Sequence, residues 1–265
     1  MRQFSADYLE TTREGMWSDS REALADLELD SRERVLDVGC GTGELTRVLA
    51  EESGGEVVGA DVDPELLSVA SEFAPVVRAD ATRLPFAADA FDLVVCQALL
   101  INLPDPVGAV REFARASSDL VAAVEPDNGA VTVDSTVDAE PPLARRARER
   151  FLDGVETDVT LGAGARDLFE DAGLEVVSTR RYDHERVVSP PYSEAAVEAA
   201  RRKVTGEGLA DDRETILSGE TSAGEYDDLR SAWRAMGRDV VDQMGDETYV
   251  RTETVPFFVT VGRAD

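Results

Sequence analysis

The sequence of 265 residues predicts an α/β fold on a mostly parallel sheet. Two observations carry that prediction. Apolar runs alternate with helix-patterned stretches through the first half, the signature of βαβ units. A turn holding Gly39, Gly41 and Gly43 follows the first apolar run directly.

The elements follow in order. Residues 34–39, RVLDVG, read as a buried strand. In 44–53, Leu45, Val48 and Leu49 recur at helical spacing. Residues 56–63 form the next strand, and 64–73 a helix opened by Pro64. Strands at 74–80 and 91–97, a helix at 105–117 and a fifth strand at 119–127 complete the regular half. Helical patterns then cover 141–155, 165–173, 193–208 and 224–244. In 224–244, Tyr226, Leu229, Trp233, Met236, Val240 and Met244 form one apolar stripe. Residues 174–187 and 255–265 are strand-forming, which brings the expected strands to seven. This is one domain over 1–265, with insertions at 128–164 and 183–252 after the fifth and sixth strands.

Composition narrows the function. Fifty-five acidic residues face 27 basic ones, for a formal net charge of −28, and Lys203 is the only lysine. Charge so evenly acidic predicts a halophilic protein, because concentrated salt screens self-repulsion. It also argues against a nucleic-acid partner, which needs a basic face. No stretch reaches the roughly 18 apolar residues of a membrane span, and no secretory leader is read at the start, so a cytoplasmic protein is expected. Cys40 and Cys96 lack metal-ligand spacing, and His184 is the only histidine, so no metal site is expected.

Strand, glycine turn and helix together present backbone N–H groups and a helix N-terminus to a ligand. Asp61, eighteen residues after Gly43, stands at the end of the second strand, where a carboxylate accepts hydrogen bonds from ribose hydroxyls. The pair points to a nucleotide or nucleoside. A dinucleotide loop reads G-x-G-x-x-G/A, whereas Glu44 occupies the third position here, and its carboxylate would repel a pyrophosphate. S-adenosylmethionine carries no phosphate and escapes that objection.

At these residues the sequence resembles a known family. VLDVGCGTG (35–43) is similar to the first motif of class I S-adenosylmethionine-dependent methyltransferases. GADVDPELLSVA (59–70), the stretch 79–106, DLVAAVEPD (119–127) and the closing VPFFVTVGRA resemble further motifs, in order, and the small-molecule "type 11" branch is the nearest. The resemblance implies a doubly wound, Rossmann-like methyltransferase fold whose last strand is antiparallel. It implies that Gly39, Cys40, Gly41 and Gly43 hold the methionine part of the cofactor, with Asp37 supporting the loop or the amino group. It places Asp61 on the ribose, Val62 on the adenine, Asp80 and Ala81 at the adenine amino edge, and Gln97 near the methionine end. Relatives often carry two histidines where Ile101 and Asn102 stand, which leaves polar substrate contact at that pair open.

The expected reaction is in-line methyl transfer to a small molecule, driven mainly by proximity. No catalytic residue is assigned. Glu125, ending the fifth strand, and His184, near the end of the sixth, are the candidates for a general base. An NAD-dependent oxidoreductase and a non-catalytic cofactor-binding module remain as alternatives. The insertions are expected to cover the substrate, and 1–30, with Tyr8, Arg13 and Trp17, to form a helical lid. The arginine cluster Arg145, Arg146, Arg148 and Arg150 reads either as a solvated helix face or as an anion-binding one.

Overall fold

The computed structural model describes Met16, Trp17 and residues 21–264. Tyr8 and Arg13 of the expected lid lie outside the described residues. The chain forms two compact units. The first holds the described residues up to Asp127, with Thr160–His184 and the chain from Pro256 on; the second holds Asn128–Val159 and Glu185–Val255.

In the first unit, β1 (Arg34–Val38) lies between β2 (Glu56–Asp61) and β4 (Phe91–Gln97), parallel to both. Beyond β2 runs β3 (Val76–Arg78), also parallel, and beyond β4 runs β5 (Ser117–Pro126). β5 pairs antiparallel with the later part of β8 (Arg251–Arg263), from Leu120 opposite Arg263 to Pro126 opposite Phe257. β7 (Glu175–Val188) pairs with β8 as well. The seven expected strands therefore form a mostly parallel sheet with one antiparallel member.

The central strands are mostly apolar because helices cover both faces of a parallel sheet. Val35, Leu36 and Val38 of β1 and Leu93 to Cys96 of β4 are all buried. The helices α1 (Glu44–Glu52), α2 (Pro64–Ala70), α3 (Pro106–Ala116) and α5 (Ala165–Ala172) alternate with these strands. Asp63 and Asp105 cap α2 and α3 by accepting the N–H groups of Glu65 and Gly108, each ahead of a first-turn proline. One core cluster joins Leu36, Val94, Val110, Phe113, Val121 and Phe169. Truncating a buried leucine in such a cluster to alanine costs about 2–5 kcal/mol.

The second unit contains α4 (Glu140–Gly154), α6 (Glu194–Thr205), α7 (Glu207–Asp211), α8 (Arg213–Ser218) and α9 (Ala223–Gly245). The sequence pattern ran α6 on to 208. Instead, Gly206 adopts φ +70° and donates its N–H to the carbonyls of Arg202 and Lys203, which ends the helix. A short strand that apolar patterning missed, β6 (Thr132–Ser135), pairs antiparallel with Arg251–Thr254 of β8. The α9 stripe buries Tyr226, Leu229, Met236 and Val240. At Gly237 a Cβ would lie 2.6 Å from the Lys203 backbone carbonyl carbon, so glycine lets α9 and α6 approach closely. Among the described residues no helix is long and apolar enough to cross a membrane.

Candidate functional site

The turn after β1 is held by the neighbouring strand. The N–H groups of Gly39 and Cys40 both donate to the Ala60 carbonyl, at 2.7 and 3.1 Å, and Gly43 donates to Cys40. Gly39, Gly41 and Gly43 take φ of +71°, +54° and +89°, a region costly for residues with a Cβ. Gly43 is the N-cap of α1 and supplies no side-chain cap, so no cap side chain occupies the first backbone N–H groups of the helix.

Asp61 closes this turn. Its Oδ2 accepts the Gly41 N–H at 2.9 Å, and its Oδ1 accepts the Asp63 N–H at 2.9 Å. A carboxylate offers about four lone-pair sites, so acceptor capacity remains for a diol. Asp37 is buried beneath the turn and accepts the Thr46 hydroxyl at 2.6 Å, tying the end of β1 to the first turns of α1. Thr46 was not singled out from the sequence; its place in the first turns of the helix after the loop was the available signal.

The other sequence-derived residues sort into two groups. Cys40 is buried against Leu67, Ala70 and Val76, so its thiol faces the core and its backbone faces the turn. Burial, then the nearby Asp37 and Asp61 carboxylates, push that thiol well above its usual range. Ala81 is likewise a core residue. Val62 and Asp80 are exposed at the ends of β2 and β3. The Asp80 carboxylate accepts the Thr82 hydroxyl at 2.7 Å and the Thr82 N–H at 2.8 Å, which hold it below its ordinary range.

Gln97 ends β4, one residue past the Cys96–Val38 pair, and so borders the start of the turn. It is buried, accepting the Trp17 indole N–H at 3.3 Å and donating to the Met16 sulfur at 3.0 Å. The Trp17 ring stands 6.0 Å from Tyr182, which stacks at 5.8 Å on Phe257. Tyr182 and Phe257 were not anticipated, because their strands meet only in the folded sheet. His184 is buried next to the same group, with its ring 6.4 Å from Phe257.

Glu125 has a defined task. It is fully buried and accepts the N–H groups of Leu99, Leu100 and Ile101, at 3.1, 2.9 and 3.4 Å. It thereby holds the 3-10 turn that follows β4. Burial pushes its carboxyl up to about 7, against the opposing pull of these backbone donors. Asn102 donates to the Ala98 carbonyl at 2.9 Å, and Ile101 is buried, so this pair stabilises the same turn.

With this geometry in view, similarity to known proteins becomes informative. Residues 36–119 match a family described as "Methyltransferase domain". A demethylmenaquinone methyltransferase of Lactiplantibacillus plantarum is 36% identical over 36% of this chain and 45% of its own length. The chain thus spans less than half the length of that relative. Two solved structures share the fold over nearly the whole chain. A candidate methyltransferase of Bacillus halodurans aligns over 93% of this chain and 99% of its own, with a TM-score of 0.56 and 16% identity. A chain from a Haloferax volcanii complex of the Trm112 methyltransferase activator with a candidate methyltransferase covers 98% and 95%, with a TM-score of 0.54 and 21% identity. The glycine turn and the end of β2 that build the site lie within the stretch that matches this family description.

Proposed function

We propose that this protein is an S-adenosylmethionine-dependent methyltransferase acting on a small molecule. The observation that carries the reading is the Asp61 carboxylate, which bridges the glycine turn and the end of β2 through Gly41 and Asp63. The residues fit this cofactor. The α1 N-terminus lacks a side-chain cap, which leaves its backbone N–H groups open to the methionine part of the cofactor. Asp61 retains lone pairs for both ribose hydroxyls, Val62 offers an exposed apolar surface for the adenine, and Gln97 lies beside the turn. Glu44, the first residue of α1, disfavours a pyrophosphate there.

When bound, S-adenosylmethionine supplies an electrophilic methyl group on a sulfonium. The chain's part is to hold an acceptor in line with it, which can lower a barrier by about 7–11 kcal/mol. Glu125 is engaged by three backbone N–H groups, and its role in this reading is to set the post-β4 turn. His184 stays the side chain able to accept a proton, if the acceptor must lose one. The acidic composition extends the reading to a protein adapted to concentrated salt.

Calorimetry in molar KCl tests the cofactor. S-adenosylmethionine or its demethylated product should bind more tightly than NAD, and tighter NAD binding would overturn the reading. Incubating a metabolite extract with methyl-labelled S-adenosylmethionine, and identifying the labelled product, then names the acceptor.

A further inference from the structure

The amide of Gln97 is held from a distant part of the chain. Gln97 stands two residues beyond Val95, the strand partner of Asp37. Its side chain therefore shares a sheet face with Asp37, which lies beneath the glycine turn. Among the described residues the amide bonds to two groups, neighbours in sequence. The Trp17 indole N–H donates to Oε1 at 3.3 Å, and Nε2 donates to the Met16 sulfur at 3.0 Å. Met16, Trp17 and Gln97 are all buried.

This pair of contacts has a direction. An indole N–H only donates, and a thioether sulfur only accepts. Together they allow one orientation of the Gln97 amide. Reversing it would set Nε2 against the indole N–H, donor facing donor, and Oε1 against the sulfur, acceptor facing acceptor. A side-chain amide has two N–H donors and two oxygen lone pairs, so one of each remains after these bonds. Met16 and Trp17 thus decide which way the remaining donor and lone pair are presented, without consuming them.

The segment that carries Trp17 is fastened on two sides. Arg21 donates to the Trp17 carbonyl at 3.3 Å and pairs with Glu51 and Glu52, at the far end of the helix that the glycine turn opens. Asp26 accepts the Ser178 hydroxyl and the Arg180 guanidinium of β7, each at 2.7 Å. The Trp17 ring stands 6.0 Å from Tyr182 on the same strand. Exposed ion pairs weaken in concentrated salt, so the buried indole and its bond to Gln97 carry more of the hold there.

We propose that Met16 and Trp17 are positioning residues of the cofactor site. They hold the Gln97 amide in one orientation, with its remaining N–H and lone pair presented to the methionine part of S-adenosylmethionine. The proposal rests on the methyltransferase reading above and extends it to residues outside the glycine motif. Its physical gain is pre-organisation: an amide already oriented loses less freedom when the ligand binds.

Calorimetry with the demethylated product of S-adenosylmethionine tests it. Trp17→Phe keeps an aromatic ring and withdraws the N–H. It should weaken binding roughly 3- to 10-fold, the worth of one neutral hydrogen bond. In Gln97→Leu protein the same change should weaken binding less than about twofold, because Trp17 then has no amide to orient. A spectroscopic readout runs beside it. With Trp233→Phe removing the other tryptophan, the Trp17 indole N–H gives a single NMR signal. That signal should move on Gln97→Leu and again when the product binds the native amide. Native affinity in Trp17→Phe, an undiminished effect in Gln97→Leu, or an indole signal unmoved by Gln97→Leu overturns the proposal. If Trp17→Phe does not fold, Met16→Leu, which withdraws the sulfur acceptor, is judged by the same affinity criteria. A native protein that binds no product overturns the methyltransferase reading and this proposal with it. Native binding with unchanged affinity in the variant overturns this proposal alone.

Discussion

The Asp61 carboxylate accepts the backbone N–H of Gly41 across 2.9 Å, twenty residues apart in sequence. A side chain at the tip of one strand thus shapes the turn after its neighbour. The same carboxylate holds the N–H of Asp63 and so sets the entry to α2. Two predictions separate its structural part from its binding part.

Asp61→Ala removes an acceptor from Gly41 and Asp63 and, in the proposed function, from the ribose. Hydrogen bonds to charged groups are worth roughly 1.5–3 kcal/mol each, and water recovers part of the loss. Cofactor affinity should fall about 30- to 1000-fold, at about 1.4 kcal/mol per decade. Asp63→Ala instead removes the α2 N-cap bond to Glu65. It should lower stability by about 1 kcal/mol and leave affinity nearly unchanged. Calorimetry and thermal melts on both variants check this; native affinity in Asp61→Ala would remove the site from this turn.

Thr46→Val tests the support under the turn. The change keeps the shape of a fully buried side chain but withdraws the hydroxyl from Asp37. Taking a donor from a buried carboxylate should cost about 2 kcal/mol of stability. A melt within a degree of the native protein would show that Asp37 does not depend on Thr46.

Glu125 makes part of the stability depend on pH. Folding raises its carboxyl from 4.5 to about 7, chiefly through burial. The folded state therefore binds this proton more tightly than the unfolded chain. The associated stability is complete below about pH 4.5 and is lost as pH rises through about 7, a change of about 3 kcal/mol. Glu125→Gln cannot ionise. The Tm difference, variant minus native, should grow from pH 5 to pH 8. A constant difference across that range would mean that Glu125 keeps an ordinary carboxyl in the folded protein.

Salt provides the last prediction. Fifty-five carboxylates against 27 basic groups repel one another in the compact state. Tm should rise steadily from low to multimolar KCl as this repulsion is screened. An unchanged Tm would remove the case for a protein adapted to high salt.

The features that the sequence reading left open or missed share one cause. The pattern placed Glu125 at a strand end, where an acid suits either catalysis or structure. Only the pairing of β4 with β5 brings it under the N–H groups of Leu99 to Ile101. Cys40 falls in the glycine motif, yet its side chain turns into the packing of α2. The break at Gly206 and the strand β6 escaped because both are short and depend on partners elsewhere in the chain.

The sequence by itself determined the alternation of strands and helices, the glycine turn and the position of Asp61. These are local properties: side-chain periodicity, the freedom of glycine at positive φ, and a carboxylate at the end of a strand. Tertiary structure decided where individual polar groups spend their hydrogen bonds. Asp37 meets Thr46, Glu125 meets a turn 25 residues earlier, and Arg148 meets the backbone carbonyl of Val131. Such choices follow from burial, because a polar group removed from water must find its partner among whatever residues the fold brings near, at any separation along the chain.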